Sequence, residues 1–368
     1  MKKILVFGMT ENPGGIESFL VNYYRNINKE LFQFDFLCNS HNPVAYEDEL
    51  KSLGANVYHI TARSMNRFLY WKELNEVFKE HCGEWDAIWV NVCSLANIDY
   101  LIVAKKYGIL KRIIHSHNSQ NMDSRLRGLL HLWNKRHISK YATDYWACSE
   151  EAANWFYDSS VIKEVVIIHN AIDVERMKFD IDKRNDLRKK LSIDDKYVIG
   201  NIGRLHFQKN QEFAIEVFER YHTKHPDSVL IFVGQGENEE VLKEKVEEYK
   251  MCDDVRFVGI QKDIQAWLSC FDLFLFPSRF EGLSVAAMEA QSNSLPVLAS
   301  KNVIPEEVKM NDNFIFLDLD AGAETWCECI EKMRNMKRLD YQTVKTNFVE
   351  NGYDINTEVS KLERLLVD

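Results

Sequence analysis

The feature that most constrains the fold of this chain is an alternation of short apolar runs with longer segments of helical period. Twelve runs of three to five residues have the length and composition of strands. Because these runs are apolar on both faces and helical stretches join them, they predict parallel sheets covered by helices. The predicted strands are residues 4–7, 34–38, 87–90, 112–115, 144–147, 165–168, 198–202, 229–233, 255–258, 273–276, 297–299 and 314–317.

The number of predicted strands indicates two domains. Twelve strands are too many for one comfortable open sheet, and a length of 368 residues is typical of about two domains. We expect the boundary between residues 170 and 196, where a charged stretch follows a predicted strand. Doubly wound domains bind ligands at the carboxyl ends of their strands, so the cleft between the two domains is the expected site.

Composition argues against several other classes of protein. The chain has 46 Lys and Arg against 56 Asp and Glu, and this net charge of −10 argues against nucleic acid as a partner. Its eight cysteines are scattered without a Cys-x-x-Cys pair, so neither a disulfide framework nor a zinc ribbon is indicated. No apolar run approaches the ~20 residues that a membrane span needs, and we expect a cytoplasmic protein.

Two loops after predicted strands carry residues suited to a phosphorylated ligand. Gly14 and Gly15 open a predicted helix, where backbone N–H groups and the helix dipole favour an anion. An ordinary tight turn would use the same two glycines. Arg204 and Lys209 flank a later strand-to-helix loop, where two cations either grip a diphosphate or are simply solvated.

The sharpest local signal is a carboxylate in an apolar stretch. Glu289 stands among alanine, valine and methionine residues, where a charge is rarely buried without a partner or a ligand. Glu281 lies eight residues earlier, beside Gly282, at the expected start of the same helix. The two carboxylates would then be about two helical turns apart. A solvated Glu289 beside small residues is the alternative.

Two weaker patterns follow other predicted strands. His115 and His117 end a strand with both imidazoles on one face, which favours a polar active-site wall. A metal pair is the less favoured interpretation, because no third ligand stands at metal-binding spacing. Gly234 and Gly236 match part of a dinucleotide-binding fingerprint, but Glu239 replaces its third glycine.

Taken in order, these motifs resemble those of the family 4 retaining glycosyltransferases, which have the GT-B fold: α/β, with two Rossmann-like, doubly wound parallel-sheet domains facing each other across a cleft. The resemblance covers nearly the whole chain. Within the family, the Ile-His-Ser-His-Asn stretch is similar to enzymes of capsular and exopolysaccharide synthesis. The matching segments are residues 13–17, 114–118, 169–173, 203–209, 233–236 and the E-x7-E motif of Glu281 and Glu289.

The resemblance implies a division of labour between the domains. Residues 1–175 would form the acceptor-side domain and residues 190–350 the nucleotide-sugar-binding domain, while a helix at about 352–368 would pack back on the first. The resemblance also implies a set of site residues. The implied catalytic residues are Glu281, His117, Arg204 and Lys209, and the implied donor-binding residues are Gly14, Gly15, Gly234, Gly282, Leu283, Ser284 and Glu289.

The implied reaction is transfer of a sugar, with retention, from a nucleotide-sugar with UDP as the favoured nucleotide. A lipid-linked or oligosaccharide acceptor of surface polysaccharide synthesis would receive it. Arg204 and Lys209 would stabilise the leaving diphosphate, Glu289 would bind the ribose, and Glu281 and His117 would face the donor sugar. The resemblance also implies that no metal is needed, and no cofactor is expected, since the nucleotide-sugar is itself a substrate.

Three other functions fit the same residues. A sugar-nucleotide epimerase or hydrolase of this fold would act on the donor without an acceptor. A non-catalytic sugar-nucleotide-binding subunit would retain the fold, although it would need neither the E-x7-E pair nor the two cations. A nicotinamide dehydrogenase rests only on the imperfect Gly234 pattern.

The acidic total hides a basic segment. Residues 99–140 hold nine basic residues against two acidic ones. Leucines and Trp133 interleave with the later cations, as in a helix at a membrane interface, and we expect residues 105–140 to contact the inner face of the cell membrane. A surface helix with a core-facing apolar stripe is the alternative.

Overall fold

The computed structural model describes residues 1–118, 125–281 and 283–367. Its contacts divide the chain into two units. The first consists of Met1–Ala171 together with Ile355–Asp368, and the second of Ile172–Asp354. The second unit is therefore inserted into the first, whose final helix is made from the far end of the chain.

The first unit is built on one sheet with the strand order β3-β2-β1-β4-β5-β6-β7. All of its strand pairs run parallel. The order reverses between β1 and β4, so the loops that follow these two strands flank a topological switch point, where doubly wound folds bind ligands. The strands are β1 (Lys2–Phe7), β2 (Phe32–Cys38), β3 (Val57–His59), β4 (Ala87–Val92), β5 (Lys111–Ser116), β6 (Asp144–Ala147) and β7 (Val166–Ile167).

Helices cover both faces of this sheet. Successive residues of each strand point to opposite faces, so both faces carry apolar side chains that a helix must cover. Ile4 and Val6 of β1 pack in one apolar cluster, while Leu5 packs in another. The helices in the body of the first unit are α1 (Gly15–Asn26), α2 (Glu47–Ser52), α3 (Arg67–His81), α4 (Asp99–Lys106), α5 (Arg125–Lys135) and α6 (Glu150–Phe156).

The second unit has the same design. Its sheet has the order β10-β9-β8-β11-β12-β13, with every pair parallel, and its switch point lies between β8 and β11. The strands are β8 (Tyr197–Ile202), β9 (Ser228–Val233), β10 (Val255–Phe257), β11 (Leu273–Phe276), β12 (Val297–Ser300) and β13 (Phe314–Leu317). The helices are α7 (Val174–Met177), α8 (Ile181–Leu191), α9 (Gln211–Lys224), α10 (Glu239–Glu248), α11 (Ile264–Cys270), α12 (Val285–Ser292), α13 (Gly322–Met333) and α14 (Tyr341–Glu350).

A last helix, α15 (Ile355–Val367), returns to the first unit and packs on α1. Its buried face includes Val359, Leu362 and Leu366, which join the same cluster as the even-numbered residues of β1. The backbone N–H of His169 donates to Glu358 Oε2 at 3.0 Å, which ties the helix to the end of the first unit's sheet region.

The structure confirms the prediction of two doubly wound parallel sheets, and each predicted strand corresponds to an observed one. One observed strand, β3, was not predicted. Val57, Tyr58 and His59 are all half-buried, and β3 pairs with β2 alone at the edge of the sheet. An edge strand of three residues lacks the continuous apolar run on which the prediction of buried strands depends.

Candidate functional site

The switch point of the second unit carries the most tightly connected of the predicted site residues. Nζ of Lys209 lies 2.7 Å from Oε1 of Glu281. Lys209 follows β8 and Glu281 follows β11, so this ion pair bridges the two strands at which the order reverses. The exposed fraction is only 18% for the Lys209 side chain and 7% for that of Glu281. Nζ of Lys209 also lies 4.9 Å from the centre of the Phe276 ring.

A second set of contacts joins the same two loops, and no sequence motif predicts these contacts. The backbone N–H of Arg279 donates to the Gln208 carbonyl at 2.8 Å, and Nε2 of Gln208 donates to the Phe280 carbonyl at 2.9 Å. The Arg279 guanidinium stacks over the Phe207 ring, 4.9 Å from its centre. Gln208 therefore holds both loops in register immediately beside the Lys209–Glu281 pair.

Arg204 is placed differently from Lys209. Its side chain is exposed, and Nε lies 3.9 Å from Glu237 Oε2 in the loop after β9. Because both partners are exposed, this ion pair is weak. The same Glu237 carboxylate lies 3.2 Å from Nε2 of His206. The Arg204 side chain thus stands at the carboxyl edge of the sheet in a solvated contact with Glu237.

The E-x7-E motif spans a loop and a helix, so the expectation that both carboxylates belong to one helix is wrong. Helix α12 begins at Val285, and Ser284 caps it by accepting from the Ala287 N–H at 3.4 Å. Glu289 is half-buried on this helix, whereas Glu281 lies in the preceding loop. Leu283 is half-buried beside the cap. Gly282, also a predicted site residue, lies outside the described residues.

The local backbone of the second unit requires a glycine at position 234. Its φ is +136°, and a Cβ there would lie 2.1 Å from the backbone oxygen of Gly203. Both facts require glycine, because L side chains rarely adopt this conformation and the neighbouring backbone has no room to yield. The backbone N–H of Gly234 also donates to the Gly259 carbonyl at 2.9 Å. Gly234 therefore fixes the packing of the loops after β8, β9 and β10.

The glycine loop of the first unit follows β1, at that unit's switch point. Gly14 is the N-cap of α1 and Gly15 its first residue. The carboxylate of Glu17 is buried in the first turn, and Oε1 accepts from the Thr10 hydroxyl at 2.6 Å. A Cβ on Gly15 would meet nothing within 4 Å, so the fold itself does not demand glycine there.

His117 also lies at the carboxyl edge of the first sheet, where its orientation is fixed by Asn91. Nδ2 of Asn91 donates to the carbonyls of Phe7 and Trp89, so its Oδ1 accepts from Nε2 of His117 at 2.9 Å. Nδ1 of His117 is buried and has no hydrogen-bond partner among the residues described. Burial lowers the pKa of His117 to about 3, which keeps the ring neutral.

The ring centres of His115, in β5, and His117, just after its end, lie 4.2 Å apart, as expected from two alternate residues of an extended segment. His115 is fully buried in an aromatic setting formed with Phe19, Trp89 and Trp146. Burial lowers the pKa of His115 well below its usual range. Within residues 1–118, 125–281 and 283–367, no three His, Cys, Asp or Glu side chains are grouped so that they could hold a metal ion.

The basic segment contains a helix whose apolar residues point outward. Among its large apolar side chains, Leu126, Leu129, Leu130, Leu132 and Trp133 of α5 are all exposed. The opposite face docks through polar contacts: Nδ1 of His131 accepts from the Leu95 N–H at 3.0 Å. The alternative of a core-facing apolar stripe is therefore wrong for this helix. No helix in the described part of the chain combines the length and apolar character needed to cross a membrane.

The chain is similar in sequence to known glycosyltransferases. The family described as glycosyl transferases group 1 matches residues 182–341, which lie within the second unit. The putative glycosyltransferase EpsF of Bacillus subtilis is 27% identical over 371 residues, covering 98% of this chain and 95% of that protein. An Escherichia coli protein named UDP-Gal:alpha-D-GlcNAc-diphosphoundecaprenol alpha-1,3-galactosyltransferase is 27% identical over 212 residues, 56% of this chain and 54% of its own length.

A similar fold is found in Anabaena HepE, solved in complex with UDP-glucose. The two structures align over 100% of both chains with a TM-score of 0.78 at 18% sequence identity. This similarity concerns the fold, since so low an identity carries no further argument. With the family match in the second unit and the full-length similarity to a named glycosyltransferase, it confirms the resemblance that the motifs indicated. The chain is a glycosyltransferase with the GT-B fold, and its second unit matches the group 1 family.

Proposed function

We propose that this enzyme transfers a sugar, with retention and without a metal ion, from a UDP-sugar to a lipid-linked acceptor of surface polysaccharide synthesis. The Lys209–Glu281 pair at the switch point of the second unit carries this proposal. A cation and a carboxylate held together at the carboxyl edge of a doubly wound sheet are suited to a diphosphate and a sugar hydroxyl, respectively. The E. coli relative, whose name specifies a UDP-linked donor and a diphosphoundecaprenol acceptor, supports the choice of both substrates.

Each residue has a proposed role that matches its position. Lys209 and Arg204 bind the donor diphosphate, and Lys209 must exchange Glu281 for phosphate oxygen when the donor arrives. Glu281 then becomes available to a hydroxyl of the donor sugar. Glu289, on the helix that follows, binds the ribose. For Gly14 and Gly15 we propose that backbone N–H groups at the start of α1 meet the donor phosphates, and that His117 contacts the donor sugar.

The chemistry that these residues supply is electrostatic. When the bond between the sugar and the phosphate breaks, negative charge grows on the leaving diphosphate and positive charge on the sugar. Lys209 and Arg204 stabilise the first, and a carboxylate near the sugar stabilises the second. His117 contributes no proton at neutral pH, because its pKa of about 3 leaves the imidazole uncharged and its Nε2–H is engaged by Asn91.

A donor screen followed by a transfer assay tests the proposal. Thermal shifts with UDP-, GDP- and ADP-sugars should show stabilisation by a UDP-sugar, and that donor should then be consumed only when a lipid-linked acceptor is present. Consumption of the donor alone would instead indicate an epimerase or a hydrolase. Tight donor binding with no transfer to any acceptor would indicate a non-catalytic subunit.

We also propose that α5 rests on an anionic membrane that carries the acceptor. Its exposed leucines and Trp133 would enter the interface while Arg125, Arg127 and Arg136 meet anionic headgroups. Lys135 is not part of this surface, because its Nζ donates to the Trp155 carbonyl at 2.6 Å and so helps to dock the helix.

Vesicle flotation tests this contact. Charge reversal of Arg125, Arg127 and Arg136 to Glu should release the protein from vesicles of phosphatidylcholine and phosphatidylglycerol at low salt. The matched control for the double reversal of Arg125 and Arg127 reverses Lys189 and Lys190, which are exposed on α8 of the second unit. If the α5 variant floats as well as the control, α5 does not anchor the enzyme.

A further inference from the structure

Two apolar side chains outside α5 are among the most exposed of the described chain. The exposed fraction is 82% for Met65 and 84% for Phe68. Met65 lies in the connection between β3 and α3, and Phe68 lies in the first turn of α3. Arg67 is exposed between them. The sequence motifs and the reaction account for none of these three residues.

The exposure of Met65 and Phe68 is imposed by an ordered backbone. The N–H of Met65 donates to the Ala62 carbonyl at 2.9 Å, which closes a turn. Oδ1 of Asn66 then caps α3 by accepting from the N–H groups of Phe68 and Leu69, each at 3.1 Å. Large apolar side chains that an ordered turn holds in water contribute no burial free energy to folding. They would contribute it only when a binding partner covers them.

This turn and α5 contact the same loop, residues 93–98, which follows β4. On one side, Nη1 of Arg63 lies 3.4 Å from Oδ1 of Asn97 in that loop and 2.9 Å from Oδ2 of Asp99 just beyond it. On the other side, the Leu95 carbonyl accepts from Nδ2 of Asn134 on α5 at 2.7 Å. The two exposed apolar elements therefore flank one loop at the carboxyl edge of the first sheet.

We propose that Met65 and Phe68 form a second point of insertion into an anionic lipid bilayer, beside α5. The proposal rests on the membrane contact proposed for α5 and extends it to a separate element of the chain. A bilayer fits because each apolar element has cations next to it, Arg67 for the turn and Arg125 and Arg127 for α5. Apolar side chains flanked by Arg are the combination that an anionic membrane interface binds.

Two points of contact would do what one helix cannot. A single short helix on a membrane leaves the protein free to rock about the helix axis, whereas a second contact removes that freedom. The carboxyl edge of the first sheet, which carries the glycine loop and His117, would then face the membrane at a fixed angle. An acceptor with a lipid tail would meet this edge without leaving the bilayer.

The experiment uses the full chain and flotation with vesicles of phosphatidylcholine and phosphatidylglycerol at a ratio of seven to three. The test variant is Met65→Ser with Phe68→Ser, and the matched control is Leu110→Ser. Leu110 is 83% exposed but precedes β5, at the opposite, amino edge of the same sheet. We expect the double variant to weaken vesicle partitioning at least about tenfold and the control to leave it unchanged.

The outcomes separate this inference from the proposals on which it rests. If the α5 variant loses vesicle binding but the Met65 and Phe68 variant does not, the second insertion point is wrong and the α5 anchor stands. If the wild-type protein does not float, both membrane contacts are wrong, while the donor screen and transfer assay still decide the reaction. Equal weakening by Leu110→Ser would show that the effect is not specific to this edge and would also overturn the inference.

Discussion

Lys209 and Glu281 face each other across the switch point of the second sheet, with Nζ and Oε1 2.7 Å apart. The pair neutralises two charges that are both largely shielded from water. We propose that the donor separates it, because the diphosphate competes for Lys209. Before the donor binds, each residue keeps the other in place.

Loss of either partner should therefore affect both activity and stability. We expect Lys209→Met and Glu281→Gln each to lower kcat/KM for transfer by at least about 100-fold. Lys209→Met should also cost about 1–3 kcal/mol of unfolding free energy, since it leaves the Glu281 carboxylate poorly solvated and unpaired. Steady-state kinetics and urea denaturation measure the two effects.

The double variant provides the control for this interpretation. With Lys209→Met and Glu281→Gln combined, stability should recover relative to Lys209→Met alone, while kcat/KM for transfer stays at least about 100-fold below that of the wild type. Additive losses of stability would contradict the pairing. Near-normal turnover in either single variant would contradict the proposed roles.

Two glycines that look alike in the sequence should respond in opposite ways to alanine. Gly15→Ala meets open space, so the fold should tolerate it, and only the KM for the donor should rise as the methyl group obstructs the phosphates. Gly234→Ala must overcome a positive φ and a 2.1 Å approach to the Gly203 backbone, so it should destabilise the protein by at least about 2 kcal/mol. Thermal denaturation and donor titration distinguish the two cases, and a stable Gly234→Ala protein would be the contrary result.

Gln208 should act as a positioning residue. Gln208→Ala removes the bond to the Phe280 carbonyl, so we expect kcat to fall about tenfold with a smaller change in the affinity for UDP. The matched control is Gln265→Ala, because Gln265 also donates to a backbone carbonyl, that of Lys178, but from α11. Equal loss of kcat in both variants would indicate a general effect on stability.

The low pKa of His117 predicts a pH dependence of stability. Its pKa is about 3 in the folded protein and near the ordinary ~6.5 in the unfolded chain, so between these values the unfolded state binds more protons. The contribution of neutral His117 to the free energy of unfolding is fully present above pH ~6.5. It declines as the pH falls toward 3, by at most about 1.4 kcal/mol per pH unit.

His117→Gln should flatten this decline. Urea denaturation of the wild-type protein and the variant between pH 4 and pH 7 measures the difference in slope. His115 contributes in the same direction, since burial lowers its pKa as well, so part of the slope should persist in the His117 variant. An unchanged slope would show that His117 is protonated alike in both states.

The sheets could be predicted because their strands are buried on both faces. Runs such as 273–276 are apolar throughout, and burial under helices is what selects such runs. Edge strand β3 could not be found in this way, since Val57, Tyr58 and His59 form too short and too polar a run. The residues of the site were recognisable one by one, but the pairing of Lys209 with Glu281 depends on β8 lying next to β11. Strand order of this kind arises from tertiary packing and leaves no local pattern.

Two other features were visible only in the structure. Asn91 is a lone amide in an apolar strand, a signal of the same kind as Glu289, yet its partner His117 is 26 residues away. For α5, the amphipathic pattern showed that one face is apolar but not whether that face points inward. The contacts of His131 and Asn134 with Leu95 decide the direction, because they dock the polar side of the helix.

The return of α15 to the first unit has a consequence for how the protein is made. During translation, the strands and α1 of the first unit emerge long before α15, and the whole second unit is synthesised in between. Until then, the surface that Val359, Leu362 and Leu366 will cover is open to water, chaperones and proteases. If translation stops anywhere in the second unit, the released chain lacks α15, and the apolar surface that α15 covers stays exposed. The first unit can therefore cover this part of its core only after synthesis has passed through the whole second unit and α15.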